Sequence, residues 1–249
     1  MLKYCIIIPH YKHEALFAQL LPKLVALELP CIVVDDGSGE QNVEQLKQML
    51  AKHEGFHLVT HQRNRGKGAT VTTACYHASA MGFSHVLQLD ADGQHNIDDA
   101  EKLLKYSQSN PHSVISGQPF FEATAPKVRV YGRKITDFWV AIETLSLKVK
   151  DSLCGFRIYP IKEFEFINDH YYLGPRMDFD TEILVKAVWA GIDLHFIPTK
   201  VIYHENSVSH FDYLRDNARL IKLHVRLMFG MLVRIPQLLY ARIKALLSK

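Results

Sequence analysis

The chain has 249 residues, 48% of them hydrophobic and 22% charged, with a formal net charge of +3. Such a length supports one large domain or two small ones around a sizeable core, and the composition is that of a folded chain rather than a disordered one. A balance this close to neutral gives no ground for a nucleic-acid-binding protein, and four cysteines (Cys5, Cys31, Cys75, Cys154) without C-x-x-C spacing argue against a zinc site or a disulfide framework.

The N-terminus enters an apolar segment at once, without the basic region and cleavage site of a secretory signal. No run reaches the roughly 18 apolar residues of a membrane span, so the chain is expected to stay in the cytoplasm. Its charge is uneven: residues 212–249 carry eight Lys and Arg against Asp212 and Asp216, a net of +6 that leaves −3 for the rest. An acidic body with a basic tail points to an anionic partner near the tail.

In chain order, "YCIIIP" (4–9) is predicted as a strand buried on both faces, and residues 13–27 as a helix with Leu16, Leu20, Leu24 and Leu27 on one side. A strand follows at "PCIVVDDGS" (30–38), a helix at 44–53, a strand at 56–61, a helix at 68–82 and a strand at "SHVLQLDAD" (84–92). This alternation implies βαβ units and a mostly parallel sheet flanked by helices. A longer helix is expected over 128–149, where Tyr131, Ile135, Phe138, Trp139 and Ile142 step by three and four. Beyond it come "GFRIYP" (155–160), a helix near 178–190 and a strand near 193–203.

The acids fall at the C-terminal ends of the second and fourth strands, the edge at which open α/β sheets bind ligands. In "VVDDGS", Asp35 and Asp36 can face a ligand, or Asp36, Gly37 and Ser38 can form a tight turn and helix cap. In "NRGKGAT" (64–70), Gly66 and Gly68 flank Lys67 just before a helix, so free N–H groups and a cation can face phosphate. The spacing is neither that of a P-loop nor that of a dinucleotide fingerprint. On an extended strand Asp90 and Asp92 point the same way and can converge on Mg2+ or Mn2+, with Gln94 or His95 completing the shell. Asp98, Asp99 and Glu101 suit a helix N-terminus, a reading that accounts poorly for Asp90.

In this order "IIIPHY", "VVDDGS", "NRGKGA", "DADGQH" and "VKDSLCGFRIYP", with "MDFDTEILVKAVWAG" beyond, resemble glycosyltransferase family 2, and within it the polyprenyl- or dolichyl-phosphate sugar synthase branch. The resemblance spans roughly residues 3–212 and implies a GT-A fold over residues 1–211, followed by a basic amphipathic helical extension over 212–249. It implies donor binding by Pro9, Tyr11, Asp36, Gly37, Ser38, Asn64, Gly66, Lys67, Asp90, Ala91, Asp92 and Gln94. Mg2+ or Mn2+ would be held by Asp90, Asp92, Gln94 and a late His210, beside Ser209. Catalytic roles would fall to Asp92, Arg157, Asp180 and Glu182, and acceptor contacts to Arg129, Arg133 and Arg157. Asp180 or Glu182 could serve as base for a hydroxyl acceptor, or both could be the N-terminal charges of a helix. Cys154 stands where the branch usually has Ser, and His10 where many relatives carry a small or polar residue.

The tail places Leu214, Ala218, Ile221, Val225, Met228 and Leu232 at helical spacing, with Arg215, Arg219, Lys222 and Arg226 on another face. Gly230 and Pro236 predict two or three short helices. These can lie on an anionic membrane surface or pack on the domain. The expected protein is an inverting, metal-dependent glycosyltransferase held peripherally at the inner face of the cell membrane. It would take a nucleotide-diphosphate sugar and pass the sugar to a polyprenyl phosphate or to a lipid or glycan hydroxyl. The rivals are a non-catalytic nucleotide-sugar or lipid-binding module on the same fold and a nucleotidyltransferase. The latter usually has a Gly-rich loop after its first strand, where "PHYKHE" stands here.

Overall fold

A strand covered on both faces needs apolar side chains at successive positions, and the first strand supplies them. In β1 (Tyr4–His10), Cys5 and Ile7 enter one hydrophobic core while Ile6 and Ile8 enter the other. The same alternation divides β2 (Cys31–Asp35) between Ile32 and Val34 on one side and Cys31 and Val33 on the other. The computed structural model describes residues 1–120, 127–200 and 213–247. The remaining strands are β3 (Phe56–Thr60), β4 (His85–Gln88), β5 (Val114–Phe120), β6 (Arg157–Pro160) and β7 (Leu194–Lys200). They form one sheet in the order β3-β2-β1-β4-β6-β5-β7. Every neighbouring pair is parallel except those of β6, which runs antiparallel to β4 and β5.

Helices α1 (Glu14–Val25), α2 (Glu40–Leu50) and α4 (Ala100–Ser109) cover one face. The other is covered by α3 (Lys67–Ala80), α5 (Lys127–Thr144), α6 (Ile161–His170), α7 (Phe179–Trp189) and α8 (Tyr213–Leu247). The expected mostly parallel α/β sheet is therefore present, with β5 and α6 added to the predicted elements. The strand expected over 84–92 is shorter than predicted. Because β4 ends at Gln88, Asp90 and Asp92 lie beyond it in a turn, where Asp92 Oδ1 accepts the Gln94 N–H at 3.0 Å. The strand pleat therefore does not aim the two carboxylates.

The tail also departs from expectation, because α8 is one unbroken helix through Gly230 and Pro236. Proline inside a helix costs about 3 kcal/mol. Leu223, Leu227, Met231 and Leu238 are buried against α5 and α7, and each such burial contributes about 1.5–3 kcal/mol, which outweighs that cost. Gly230 marks a close approach rather than a break: a Cβ there would lie 2.5 Å from the ring of Trp189. In α5 the first part of the predicted apolar row turns away from the core, while Ile142 packs against it. Tyr131, Ile135 and Phe138 are each more than 60% exposed, while Thr136, Val140, Glu143 and Thr144 face inward. There Glu143 Oε1 meets His224 Nδ1 of α8 at 2.7 Å.

Candidate active site

From β1 the chain builds β2 and β3 on one side and returns to β4 on the other. The C-terminal ends of β1 and β4 therefore border the crevice expected at such a reversal. At its base Asp35 is buried and engaged by His10 Nδ1 at 3.0 Å and by the Ser38 N–H at 2.9 Å. The Ser38 hydroxyl donates to the same carboxylate and accepts the Lys12 N–H. Burial pushes the Asp35 carboxyl up, but the bonds from His10 and Ser38 prevail and hold it below the ordinary aspartate value. Pro9 and Tyr11 flank His10 at this edge, both half-buried.

Asp36 is buried and accepts the Arg65 N–H at 2.8 Å, the Gly66 N–H at 2.7 Å and a contact from His61 Nδ1 at 2.8 Å. Its carboxylate, expected at the nucleobase or ribose, thus also ties the loop ahead of α3 to the end of β2. The N–H groups at the start of α3 are engaged as well. Gly68 donates to the Arg176 carbonyl at 3.3 Å and Ala69 to the Pro175 carbonyl at 2.9 Å. Asn64 accepts a bond from Arg176 at 3.0 Å. The expected free N–H cradle for phosphate is instead a junction with the segment before α7.

The Lys67 side chain is the centre of the site. Its Nζ lies 2.8 Å from Asp90 Oδ1, 3.0 Å from Asp90 Oδ2 and 2.8 Å from Asp180 Oδ2. Burial opposes the ammonium charge, but Asp180 and Asp90 outweigh it and hold Lys67 well above the ordinary lysine value. Asp90 shows the converse: burial raises its carboxyl, yet Lys67 and then His95, whose Nε2 is 3.3 Å away, hold it far below the usual range. The glycine of "CGFR" makes room for this pair, since a Cβ on Gly155 would lie 2.6 Å from Asp90 Oδ2 and 2.7 Å from Lys67 Nζ.

Arg157 stands behind this cluster rather than in the crevice. It is fully buried and donates to the Asp180 carbonyl at 2.7 Å, the Ser152 carbonyl at 2.9 Å and the Tyr159 hydroxyl at 3.2 Å. Burial pushes Tyr159 up to about 12, so it stays a neutral partner. Glu182 is likewise buried, accepting the Gly174 N–H and Arg226 Nη2, each at 2.7 Å. Arg133 binds both oxygens of Asp151, at 2.8 and 2.6 Å, and so clamps the loop before β6. In this structure the Arg157 and Arg133 guanidinium groups and the Glu182 carboxylate, expected at the acceptor phosphate and as a base, are thus engaged by groups of the protein itself. The Arg129 side chain and His210 lie outside the described residues, as does Ser209. The sequence reading passed over His61, Asp137 and Arg176, whose partners come from segments remote in the chain.

Among the described residues no three His, Cys, Asp or Glu side chains converge as a ready cage for a metal. Asp90 and His95 do converge, and Asp90 Oδ1, although close to Lys67, accepts no hydrogen bond. A carboxylate and an imidazole, with half-buried Asp92 and Gln94 in the adjoining turn, form a donor set that fits Mg2+ or, with its nitrogen, Mn2+. Ala91 between them is buried.

The sequence model described as Glycosyl transferase family 2 matches residues 5–165. The chain is 30% identical over 179 residues to the dolichyl-phosphate beta-glucosyltransferase ALG5C of Trichomonas vaginalis, an alignment covering 68% of this chain and 51% of that protein. It is 24% identical over 224 residues to the dolichyl-phosphate beta-glucosyltransferase of Saccharomyces cerevisiae, covering 77% and 61%. The chain thus spans only part of the length of these two relatives. Among solved structures it is similar to glucosyl-3-phosphoglycerate synthase from Mycobacterium tuberculosis in complex with Mn2+, uridine-diphosphate-glucose and phosphoglyceric acid. The TM-score is 0.65 at 12% identity, over 92% of this chain and 79% of that one. At that identity the likeness establishes the fold, the GT-A glycosyltransferase fold.

Proposed function

The chain belongs to glycosyl transferase family 2, in its polyprenyl-phosphate sugar synthase-like branch, and on that premise we propose that it transfers a sugar, with inversion, from a nucleoside-diphosphate sugar to a lipid-linked phosphate. The observation that carries the proposal is the cluster of Lys67, Asp90, Asp180 and His95 beyond the end of β4. It sets charged groups suited to a diphosphate and a cation at the ligand edge of the sheet. In the reaction an acceptor oxygen attacks the anomeric carbon from the face opposite the diphosphate. The bond from that carbon to the diphosphate breaks, and its electron pair leaves with the nucleoside diphosphate. Negative charge builds on the leaving group, so a cation already aimed there lowers the barrier. Lys67 supplies one such charge. Asp90, Asp92 and His95 would hold Mg2+ or Mn2+, which when bound acts as a Lewis acid on the diphosphate.

A hydroxyl acceptor needs a base, whereas a phosphate monoester arrives already ionised. Asp180 is paired with Lys67 and Glu182 is buried beneath Arg226, so neither carboxylate stands open to an acceptor. That geometry favours a polyprenyl phosphate over a lipid or glycan hydroxyl, with Arg129 a candidate contact to it. Residues 1–211 would form the catalytic unit and residues 212–249 its helical extension. No described helix is long and apolar enough to cross a membrane. The exposed apolar faces of α5 and α8 support a peripheral position at the inner face of the membrane, where such an acceptor lies.

The test is a panel of UDP- and GDP-sugars, each with Mg2+ or Mn2+ and with dolichyl or undecaprenyl phosphate in detergent, scored for lipid-linked sugar. One donor is expected to give product in the presence of metal. A chain that bound none of these nucleotides in either metal would not be a nucleotide-sugar transferase.

A further inference from the structure

We infer that Lys67 is the resident counter-ion of Asp90, and that it makes binding of a divalent metal conditional on the nucleoside diphosphate. This deepens the donor site proposed above and rests on it. From the floor of the crevice inward the charges alternate: Asp90, Lys67, Asp180, and behind them the buried Arg157, each next to one of opposite sign. These four formal charges sum to zero, so this row is already balanced without a donor. Both oxygens of Asp90 lie within 3.0 Å of the ammonium. A divalent ion arriving alone must share that carboxylate with a cation or drive it off.

Driving it off is resisted by position. The backbone around Lys67 is fixed by the Gly66 N–H on Asp36 and the Gly68 N–H on the Arg176 carbonyl, so only the side chain can move. Gly155 sits against both members of the pair and leaves no slack on that side. Asp180, the second partner of Lys67, is a pivot that retains the ammonium when Asp90 lets go. A diphosphate changes the balance. It offers the ammonium new oxygens within reach of that pivot, frees Asp90 and contributes phosphate oxygens to the metal. Metal and diphosphate therefore favour each other's binding, and by linkage the factor is the same in either direction.

The test uses the full chain stripped of metal and titrated with Mn2+, the free ion being read by electron paramagnetic resonance, alone and with saturating UDP or GDP. Wild type is expected to bind Mn2+ at least tenfold more tightly with the diphosphate than without it. Lys67→Met is expected to bind Mn2+ alone at least tenfold more tightly than wild type, and to lose most of the dependence on nucleotide. Lys67→Gln, which keeps an N–H donor between the two carboxylates, is measured beside it in case the methionine variant does not fold. If wild type takes up Mn2+ equally well with and without a diphosphate that it demonstrably binds, the inference fails and the donor site stands. A folded variant whose affinity for Mn2+ alone is unchanged also overturns it. Failure to bind either nucleotide in any metal overturns the donor site and the inference together.

Discussion

Asp137, on α5, accepts the Ser152 N–H at 3.2 Å, yet burial and then the nearby Asp151 push its carboxyl up to about 6. The folded protein thus holds a proton there more tightly than the unfolded chain, whose aspartates titrate near 4. The group's contribution to stability is complete below about pH 4 and is lost as pH rises through about 6. Asp137→Asn keeps the acceptor oxygen for Ser152 and removes the charge. It is expected to raise stability by about 1 kcal/mol at pH 7.5 and by nothing at pH 4, read from urea midpoints. An equal change at both pH values would show that the charge is not the cause. Asp35 has the opposite sign: its lowered carboxyl stabilises the fold above about pH 4, and that stability is lost as pH falls through the folded value. Members of the cluster stand out in the sequence one by one, Asp90 where an apolar segment ends in charge and Lys67 between Gly66 and Gly68 ahead of a helix. Their mutual neutralisation does not, since Lys67 is 23 residues from Asp90 and meets Asp180 only when α3, β4 and α7 come together.

Among the elements, β1, β2 and β4 follow from the sequence because strands covered on both faces read as apolar runs, and the edge strand β3 and α1 to α3 from their alternation with them. β5 did not, since Gly117 and Pro119 interrupt its run, and α6 escaped because it begins at Ile161 directly after β6 with no loop between them. α8 was cut into pieces for a related reason: a glycine looks like a break until the ring packed against it is known. That ring, Trp189, donates from Nε1 to the Glu143 carbonyl at 2.9 Å and lies under Lys186 Nζ at 4.1 Å and the Arg234 guanidinium at 4.6 Å. It joins α5, α7 and α8. Gly230→Val should push α8 off the ring at a cost of about 1–3 kcal/mol, lowering the urea midpoint and shifting tryptophan emission to the red. An unchanged midpoint would mean that the helix is not seated on Trp189.

At the scale of the whole molecule, the outward faces of α5 and α8 need a partner. Tyr131, Ile135 and Phe138 are exposed on one helix, and Ile221, Val225, Phe229, Leu232, Val233 and Tyr240 on the other. At about 100° per residue the α8 set falls within roughly a third of the helix circumference. The opposite side of the same helix is buried in the core, so packing on the domain and meeting a membrane are compatible roles of two faces. A contiguous apolar surface of this kind marks an interaction site. At the same spacing Lys222 falls within the α8 stripe and Lys244 at its border, both exposed, and each basic residue near an anionic leaflet adds about 1 kcal/mol. Two terms with different salt sensitivity follow. Raising NaCl should weaken sedimentation with phosphatidylserine-containing vesicles by screening the basic border, yet leave a residue of binding from the apolar term. The pair Val225→Asp and Phe229→Asp should remove that residue and lower partitioning at least tenfold. It should leave nucleoside-diphosphate binding intact, because neither side chain contributes to the cluster around Lys67. If the double variant sedimented like wild type at every salt concentration, this face would not be the membrane contact. A concentration-dependent dimer lost in the same variant would then assign it to a second copy of the chain.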